Sequence, residues 1–202
     1  MTNSEIGRRE RKRQLTAELL ANTAFALFEA HGFDNVSMEQ IAEAADVAKG
    51  TLYKHFPVKE ALLTHYLHAM VQTQLPVLQQ AMASETDSLQ RITRYFRAAS
   101  VWAQRHQRYM PYYLEHRLSQ PIRAQDRQRS GTESILIGLI SDAQAQGRLR
   151  ADHDASLLTS YLQTQYLTAL LRWVMQADAD LDRELDAMLD LFLHGCRAER
   201  QA

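Results

Sequence analysis

The scarcity of residues that interrupt helices is the feature that most limits how this chain can fold. Only seven of its 202 residues are glycine and four are proline. Alanine, leucine, glutamine, arginine and glutamate dominate, all of which favour helix, and runs of β-branched residues are nearly absent. The sequence therefore predicts an all-α protein.

Turn signals divide the chain into a series of expected helices. Gly32 can take the positive φ that ends a helix, and Pro57 ends another because the residue before proline disfavours helical backbone. Other breaks are expected at Pro111, Pro121 and Gly147. The expected helices cover about 9–31, a short stretch from 37, 48–55, a long stretch from 59, 87–107, 109–120, 125–147, 154–176 and 181–199.

Cysteine content and hydropathy limit the compartment and the covalent chemistry. Cys196 is the single cysteine, so no intramolecular disulfide can form. The first twenty residues lack a signal-peptide core, and the longest apolar runs, such as 135–140, are too short to span a bilayer. We expect a cytoplasmic protein without a membrane partner. No nucleotide-binding loop, hydrolase motif or metal-ligand spacing is present, so neither a cofactor nor a metal is expected.

Positive charge is concentrated although the net charge is −1. Residues 1–13 hold five basic groups against two acidic ones, and residues 49–59 hold three lysines and His55 with no acid. A near-neutral protein that binds nucleic acid must place its cations locally in this way.

Residues 37–56 have the layout of a helix-turn-helix. Ser37 and Gln40 form the spacing of a capping box at the start of the first short helix. Asp46 is a residue type that tolerates the left-handed backbone of a tight turn. In the second helix, Leu52 and Phe56 lie four residues apart and are expected to face inward, which turns the polar and basic residues outward. Such a helix fits the major groove of DNA.

The segment from Val36 to Leu63 resembles the N-terminal DNA-binding domain of the TetR family of bacterial repressors, and the likeness extends over roughly residues 15–63. The matching positions are Ala24, Phe28, Gly32, Ile41, Ala42, Ala45, Val47, Gly50, Thr51, Tyr53, Phe56, Lys59 and Glu60. The resemblance implies phosphate and base contacts at Ser37, Lys49, Gly50, Thr51, Tyr53, Lys54, His55 and Lys59. Two residues depart from the family pattern. Asp46 stands where glycine is common, and Ala48, which cannot cap the second helix, stands where serine or threonine is common.

The resemblance also implies the remaining architecture. We expect a three-helix DNA-binding domain over residues 1–58, with residues 1–8 disordered, and an effector-binding and dimerisation domain of about six helices over 59–202. The last two helices, at about 154–176 and 181–199, are expected to form the homodimer interface. The candidate interface residues are Leu158, Leu162, Gln165, Ala169, Leu185, Met188, Leu189 and Phe192.

Aromatic side chains are concentrated in the middle of the chain, where the family binds its effectors. Ligand pockets are mostly apolar and aromatic, with a few polar groups. The candidate lining residues are Met70, Phe96, Trp102, His106, Tyr109, Tyr113, Ile140 and Gln165. A small, largely apolar or aromatic effector is therefore expected, although any of these residues can equally belong to the core.

Three hypotheses for the function follow. The first is a homodimeric repressor that a small molecule releases from double-stranded operator DNA, and that is not an enzyme. The second is a helical enzyme or small-molecule carrier whose helix-turn-helix is only structural. The third is an architectural DNA-binding protein without an inducer, which would have a tightly packed aromatic region and no cavity.

Overall fold

The computed structural model describes residues 3–119 and 131–196, with side chains from residue 7 onward. Within these residues the regular structure is helical, as the sequence predicts. One short 3-10 turn, Gln107–Tyr109, precedes the sixth helix. The α-helices are α1 (Asn3–His31), α2 (Met38–Ala44), α3 (Lys49–His55), α4 (Lys59–Ala83), α5 (Ser88–Arg105), α6 (Met110–Ser119), α7 (Thr132–Ala145), α8 (Ala155–Met175) and α9 (Leu181–Gly195).

The largest disagreement with the expected boundaries is at the start of α1. The helix begins at Asn3 rather than near Arg9. No proline or run of β-branched residues interrupts this segment, and the helix therefore continues to its polar start. The parts of expected helices at 120, 125–130 and 197–199 lie outside the described residues.

Two compact units can be distinguished among the described residues. The first comprises residues 3–70 and 115–119, and the second comprises 71–114 and 131–196. The change from one unit to the other after Met70 falls inside α4. The expected assignment of DNA binding to 1–58 and of effector binding to 59–202 concerns function and remains a prediction.

The first unit is built around a core shared by α1 to α4. The inner face of α1 carries Leu20, Ala24 and Phe28, which the expected helical spacing places on one side, and all three are buried. The rings of Phe25 and Tyr66 stack with centroids 3.9 Å apart, which joins α1 to α4. Other buried members include Ile41, Ala42, Leu52, Phe56, Leu62, Leu63 and Leu67.

The second unit is a bundle in which α5, α7, α8 and α9 pack on one another. Polar contacts join the same helices. Ser100 on α5 donates a 2.6 Å hydrogen bond to Asp182 on α9, and Arg172 on α8 donates two bonds to the Glu184 carboxylate on α9, at 2.8 and 3.2 Å. No described helix is long and apolar enough to cross a membrane.

Candidate nucleic-acid interface and effector region

Local hydrogen bonds fix both ends of α2, including the turn that leads to α3. The N–H of Ser37 donates to the side chain of Gln40 at 2.8 Å, and the N–H of Gln40 donates to Ser37 Oγ at 3.2 Å, which confirms the expected capping box. At the end of α2, Asp46 has φ +51° and the N–H of Val47 donates to the Ala42 carbonyl at 2.9 Å. This is a Schellman-type ending, so an aspartate serves where glycine is usual.

Two apolar side chains hold α3 against the first unit. Leu52 is 0% exposed and Phe56 is 7% exposed, as expected from their spacing. The ring of Phe56 also meets His65 on α4 with centroids 5.3 Å apart. Ala48 is the N-cap of α3 and makes no side-chain capping bond. The helix is therefore positioned by its buried face rather than by its cap.

The opposite face of α3 is open to solvent. Lys49, Gly50, Thr51, Tyr53 and Lys54 are exposed. A Cβ atom built on Gly50 would meet no atom of the chain within 4 Å, so no internal contact requires glycine there. The face thus presents two cations, two hydroxyls and a bare stretch of backbone, which together can bind phosphates and base edges.

The electrostatic environment of α3 is positive near its C-terminal end. Partial burial, and then the charges of Arg13 and Lys54, lower the pKa of His55 below its ordinary value. Tyr53 has an acidic neighbour, because its hydroxyl donates to Glu39 Oε1 on α2 at 3.3 Å. Desolvation and then that carboxylate raise the pKa of Tyr53. The Glu39 contact therefore orients a neutral phenol at the surface.

Lys59 does not behave as the resemblance implies. Its ammonium donates to the backbone carbonyls of Phe33 at 2.8 Å, Val36 at 3.3 Å and Asp34 at 3.4 Å. It also lies 4.5 Å from the centroid of the Phe33 ring. An ammonium has three N–H donors, and the three carbonyls accept a hydrogen bond from each. The predicted phosphate contact is corrected to a contact that ties α4 to the segment after α1.

Seven of the eight predicted DNA contacts thus remain at least partly exposed in the first unit, and these seven residues are called the candidate DNA surface. Ser37 is exposed at the start of α2, and His55 is half-buried at the end of α3. In the sequence, the five exposed residues of α3 lie between Ser37 and His55. Sequence reasoning did not assign Arg13 to this surface, because its proximity to His55 is a tertiary feature. The excess of cations in residues 1–13 was the available signal.

The predicted effector residues are only partly brought together. Phe96, Tyr109, Ile140 and His106 are buried in the second unit, whereas Met70 belongs to the first. Gln165 is exposed on α8, so its prediction as a lining residue is wrong for the single chain. Trp102 and Tyr113 are half-buried in the second unit.

Trp102 on α5 and His106, the residue that follows this helix, form a pair one turn apart. Their rings have centroids 4.6 Å apart, and His106 Nδ1 lies 2.8 Å from the carbonyl oxygen of Trp102. The indole N–H of Trp102 is buried and has no hydrogen-bond partner among the described residues. Buried donors of this kind are uncommon, and this one is a candidate contact for a bound molecule.

Two tyrosines that the predicted lining did not include, Tyr95 and Tyr166, lie beside Phe96. The ring centroids of Tyr95 and Tyr166 lie 5.0 and 5.4 Å from that of Phe96. Burial raises the pKa of Tyr95 to about 12, partly opposed by a hydrogen bond with Thr132 and reinforced by Tyr113. Burial, and then Tyr95 and Tyr113, also raise the pKa of Tyr166. Three phenols therefore influence one another beside an apolar ring.

The predicted dimer residues require a larger correction. All except Gln165 are at most 6% exposed in the single chain. They form core of the second unit rather than a surface that another chain could cover. The apolar side chains that α8 and α9 leave exposed are Leu157, Tyr161, Met175 and Leu191.

Cation-binding and covalent chemistry have little support in the described residues. No group of three histidine, cysteine, aspartate or glutamate side chains there is arranged to hold a metal ion. Burial raises the pKa of the Cys196 thiol, an effect that Arg150 partly opposes. A raised thiol pKa lowers the fraction of reactive thiolate.

Comparisons with known proteins agree with the fold and the helix-turn-helix. Residues 20–66 match the family model described as bacterial regulatory proteins, tetR family. The transcriptional regulator TcmR of Streptomyces glaucescens is 36% identical over 92 residues, which cover 46% of this chain and 40% of that protein. The repressor KstR of Mycolicibacterium smegmatis is 45% identical over 64 residues, covering 32% of this chain and 28% of KstR. The matches therefore span less than half of these curated relatives.

A solved structure matches over a greater length. The TetR-family repressor FadR of Thermus thermophilus, crystallised with lauroyl-CoA, superposes with a TM-score of 0.77 at 25% identity. The alignment covers 92% of this chain and 97% of FadR. The likeness thus includes the helices that follow the helix-turn-helix as well as the N-terminal domain.

Proposed function

Because the chain belongs to the tetR family of bacterial regulatory proteins, we propose that it is a homodimeric transcriptional repressor released from operator DNA by a small, largely apolar molecule. The observation that carries this proposal is α3, whose polar and cationic face is exposed while Leu52 and Phe56 hold it against the first unit. The basic residues and the glycine on this face favour DNA binding over a helix-turn-helix that is only structural.

On the exposed face of α3, different residues bind phosphates and base edges. Lys49 and Lys54 neutralise phosphates, which supplies affinity independent of sequence. Thr51 reaches a base edge through its hydroxyl or its methyl group. Gly50 lets the backbone of α3 approach the DNA without a side chain between them. Twofold symmetry places two such helices in successive major grooves, so the operator is a palindrome.

DNA binding is tested by selecting genomic fragments with the purified protein and then measuring affinity by fluorescence anisotropy at several salt concentrations. Lys54→Ala should weaken binding to all sequences and flatten the salt dependence, whereas Thr51→Val should change base preference. Arg183→Ala removes an exposed cation on α9 and should change neither. Failure to select any duplex fragment would overturn the proposal.

The second unit is the proposed effector site. Phe96 and its tyrosine neighbours offer apolar surface with phenol hydroxyls, and the Trp102 indole N–H offers an unsatisfied donor. These groups suit a molecule that is largely apolar and carries a hydrogen-bond acceptor. Such a molecule lowers DNA affinity only if it binds better to the conformation that fits DNA poorly.

Effector binding is tested with lauroyl-CoA, the ligand named for FadR, and with a ketosteroid, the class named for a structural neighbour. The expected result is loss of DNA binding at saturating ligand for at least one compound, with a smaller effect in Trp102→Phe. Loss of DNA binding that is equal in wild type and Trp102→Phe would remove the indole from the site. If both compounds bind the protein and neither changes its affinity for DNA, then neither compound is an effector.

The exposed faces of α8 and α9 are the proposed dimer surface. Tyr161 is 60% exposed, Met175 is 79% exposed and Leu191 is 72% exposed. Exposed apolar side chains grouped on neighbouring helices are typical of subunit contacts. Tyr161→Glu combined with Met175→Glu should give monomers in sedimentation equilibrium. Val77→Glu alters an equally exposed apolar residue on α4 and should leave the dimer intact, and a monomeric wild-type protein would contradict the proposal.

A further inference from the structure

The first turns of α1 carry a cluster of cations that the proposed DNA contacts of α2 and α3 do not use. These residues continue the helix without a break. All of them are exposed, and none forms an ion pair with another described residue. The cluster consists of Arg8, Arg9, Arg11, Lys12 and Arg13.

Helical spacing separates the cluster into two faces. Arg9 and Arg13 lie four residues apart, and Leu20 follows Arg13 seven residues later, on the same line as Ala24 and Phe28. These three apolar residues are buried on the side of α1 where the first unit packs. Arg9 and Arg13 therefore extend the inward face beyond the apolar core.

Arg8 and Arg11 lie on another side of the helix. Leu15 follows them seven and four residues later, and Leu19 comes one further turn along. Both leucines are about half exposed, at 56% and 49%. These two arginines therefore point away from the rest of the first unit and provide a matched pair with the same charge.

The charge of Arg13 also reaches the C-terminal end of α3. This charge is one of the influences that lower the pKa of His55 at the end of α3, together with the charge of Lys54. The charges of Arg13 and Lys54, on two helices, thus both act on His55, and no described carboxylate is paired with Arg13. Mutual repulsion among like charges is relieved when a polyanion binds them.

We propose that Arg9 and Arg13 bind DNA phosphates beside the groove occupied by α3, so that α1 forms a second part of the DNA interface. This inference rests on the proposed function. The continuous helix holds the two guanidinium groups on one side of α1. Arginine binds phosphate with two parallel hydrogen bonds, which favours it for this role.

The test measures the salt dependence of binding to a mixed-sequence duplex of roughly 30 base pairs, because phosphate contacts do not require the operator. Arg9→Gln combined with Arg13→Gln should flatten the log–log slope by up to about 3.6 for a dimer, at about 0.9 for each of four contacts. Arg8→Gln combined with Arg11→Gln removes the same charge and should change the slope far less. Both double variants should retain the wild-type melting temperature, because the side chains are exposed.

Three further results discriminate between explanations. Arg9→Lys combined with Arg13→Lys should restore most of the slope. Equal flattening by the two glutamine pairs would overturn the inference in favour of a diffuse charge effect, and an unchanged slope in Arg9→Gln/Arg13→Gln would overturn it outright. Wild-type protein that binds no duplex even at low salt would instead refute the proposed function.

Discussion

Replacing Lys59 with methionine should destabilise the first unit and leave the salt dependence of DNA binding nearly unchanged. Methionine keeps most of the length of the side chain and removes the charge. The shortest lost bond, 2.8 Å to the Phe33 carbonyl, is charge-assisted and is worth about 1.5–3 kcal/mol. The ring contact at 4.5 Å adds about 0.5–1 kcal/mol.

The expected total is about 2 kcal/mol, because the side chain is half-buried and the bonds to Val36 and Asp34 are longer. In a cooperative transition of a chain of this size, that loss lowers the melting temperature by about 4–8 °C. Thermal unfolding followed by circular dichroism, at equal protomer concentration, measures it.

Lys54→Met is the matched control, because Lys54 is exposed on α3. It should leave the melting temperature nearly unchanged and flatten the salt dependence of DNA binding by about 0.9 per protomer. Lys59→Met should give the reverse pattern. A normal melting temperature together with a flattened salt dependence in Lys59→Met would refute the carbonyl assignment and restore Lys59 as a phosphate contact.

Four further predictions test other parts of the structure. Leu52→Ala should lower the free energy of unfolding by about 2–5 kcal/mol, whereas Leu19→Ala, at a half-exposed position, should lower it by under about 1 kcal/mol; equal losses in denaturant titrations would contradict the packing of α3. Ala48→Ser should stabilise α3 by about 1 kcal/mol through a new N-cap, and no gain would mean that the hydroxyl does not reach the helix. Because the pKa of His55 is lowered in the folded chain, stability should fall as the pH drops below about 6.5, and His55→Gln should reduce that loss in urea titrations at pH 7 and pH 5. Since burial raises the pKa of Tyr95 to about 12, stability should fall as the pH rises above about 10, and Tyr95→Phe should reduce this fall; ionisation of Tyr95 near pH 10 in the folded protein would contradict its burial.

Local chemistry explains why so much of the helix-turn-helix could be predicted from the sequence. The capping box of Ser37 and Gln40 and the positive φ of Asp46 depend on neighbours within a few residues. The burial of Leu52 and Phe56 follows from their separation by one helical turn. Each of these features depends on residues that lie close together in the sequence, and the structure confirms them.

The error at Lys59 arises from contacts that no short stretch of sequence contains. Its three carbonyl acceptors lie 23 to 26 positions earlier in the chain. A cation at a family position predicts a phosphate contact. In the structure, the turn after α1 instead brings the three carbonyls close enough to bind the Lys59 ammonium. The same reason explains why Arg13 was not assigned: the neighbouring His55 lies on another helix.

The error at α8 and α9 concerns what covers an apolar face. A stripe such as Leu158 and Leu162 predicts burial, but its spacing is the same whether a neighbouring helix or a second chain covers it. Here the stripe packs within the chain. On the outer face of α8, exposed polar residues separate Tyr161 from Met175, and a simple apolar pattern therefore does not reveal this face. Because a helix between its own core and a partner must bury two faces, the weaker stripe is the better guide to the proposed dimer surface.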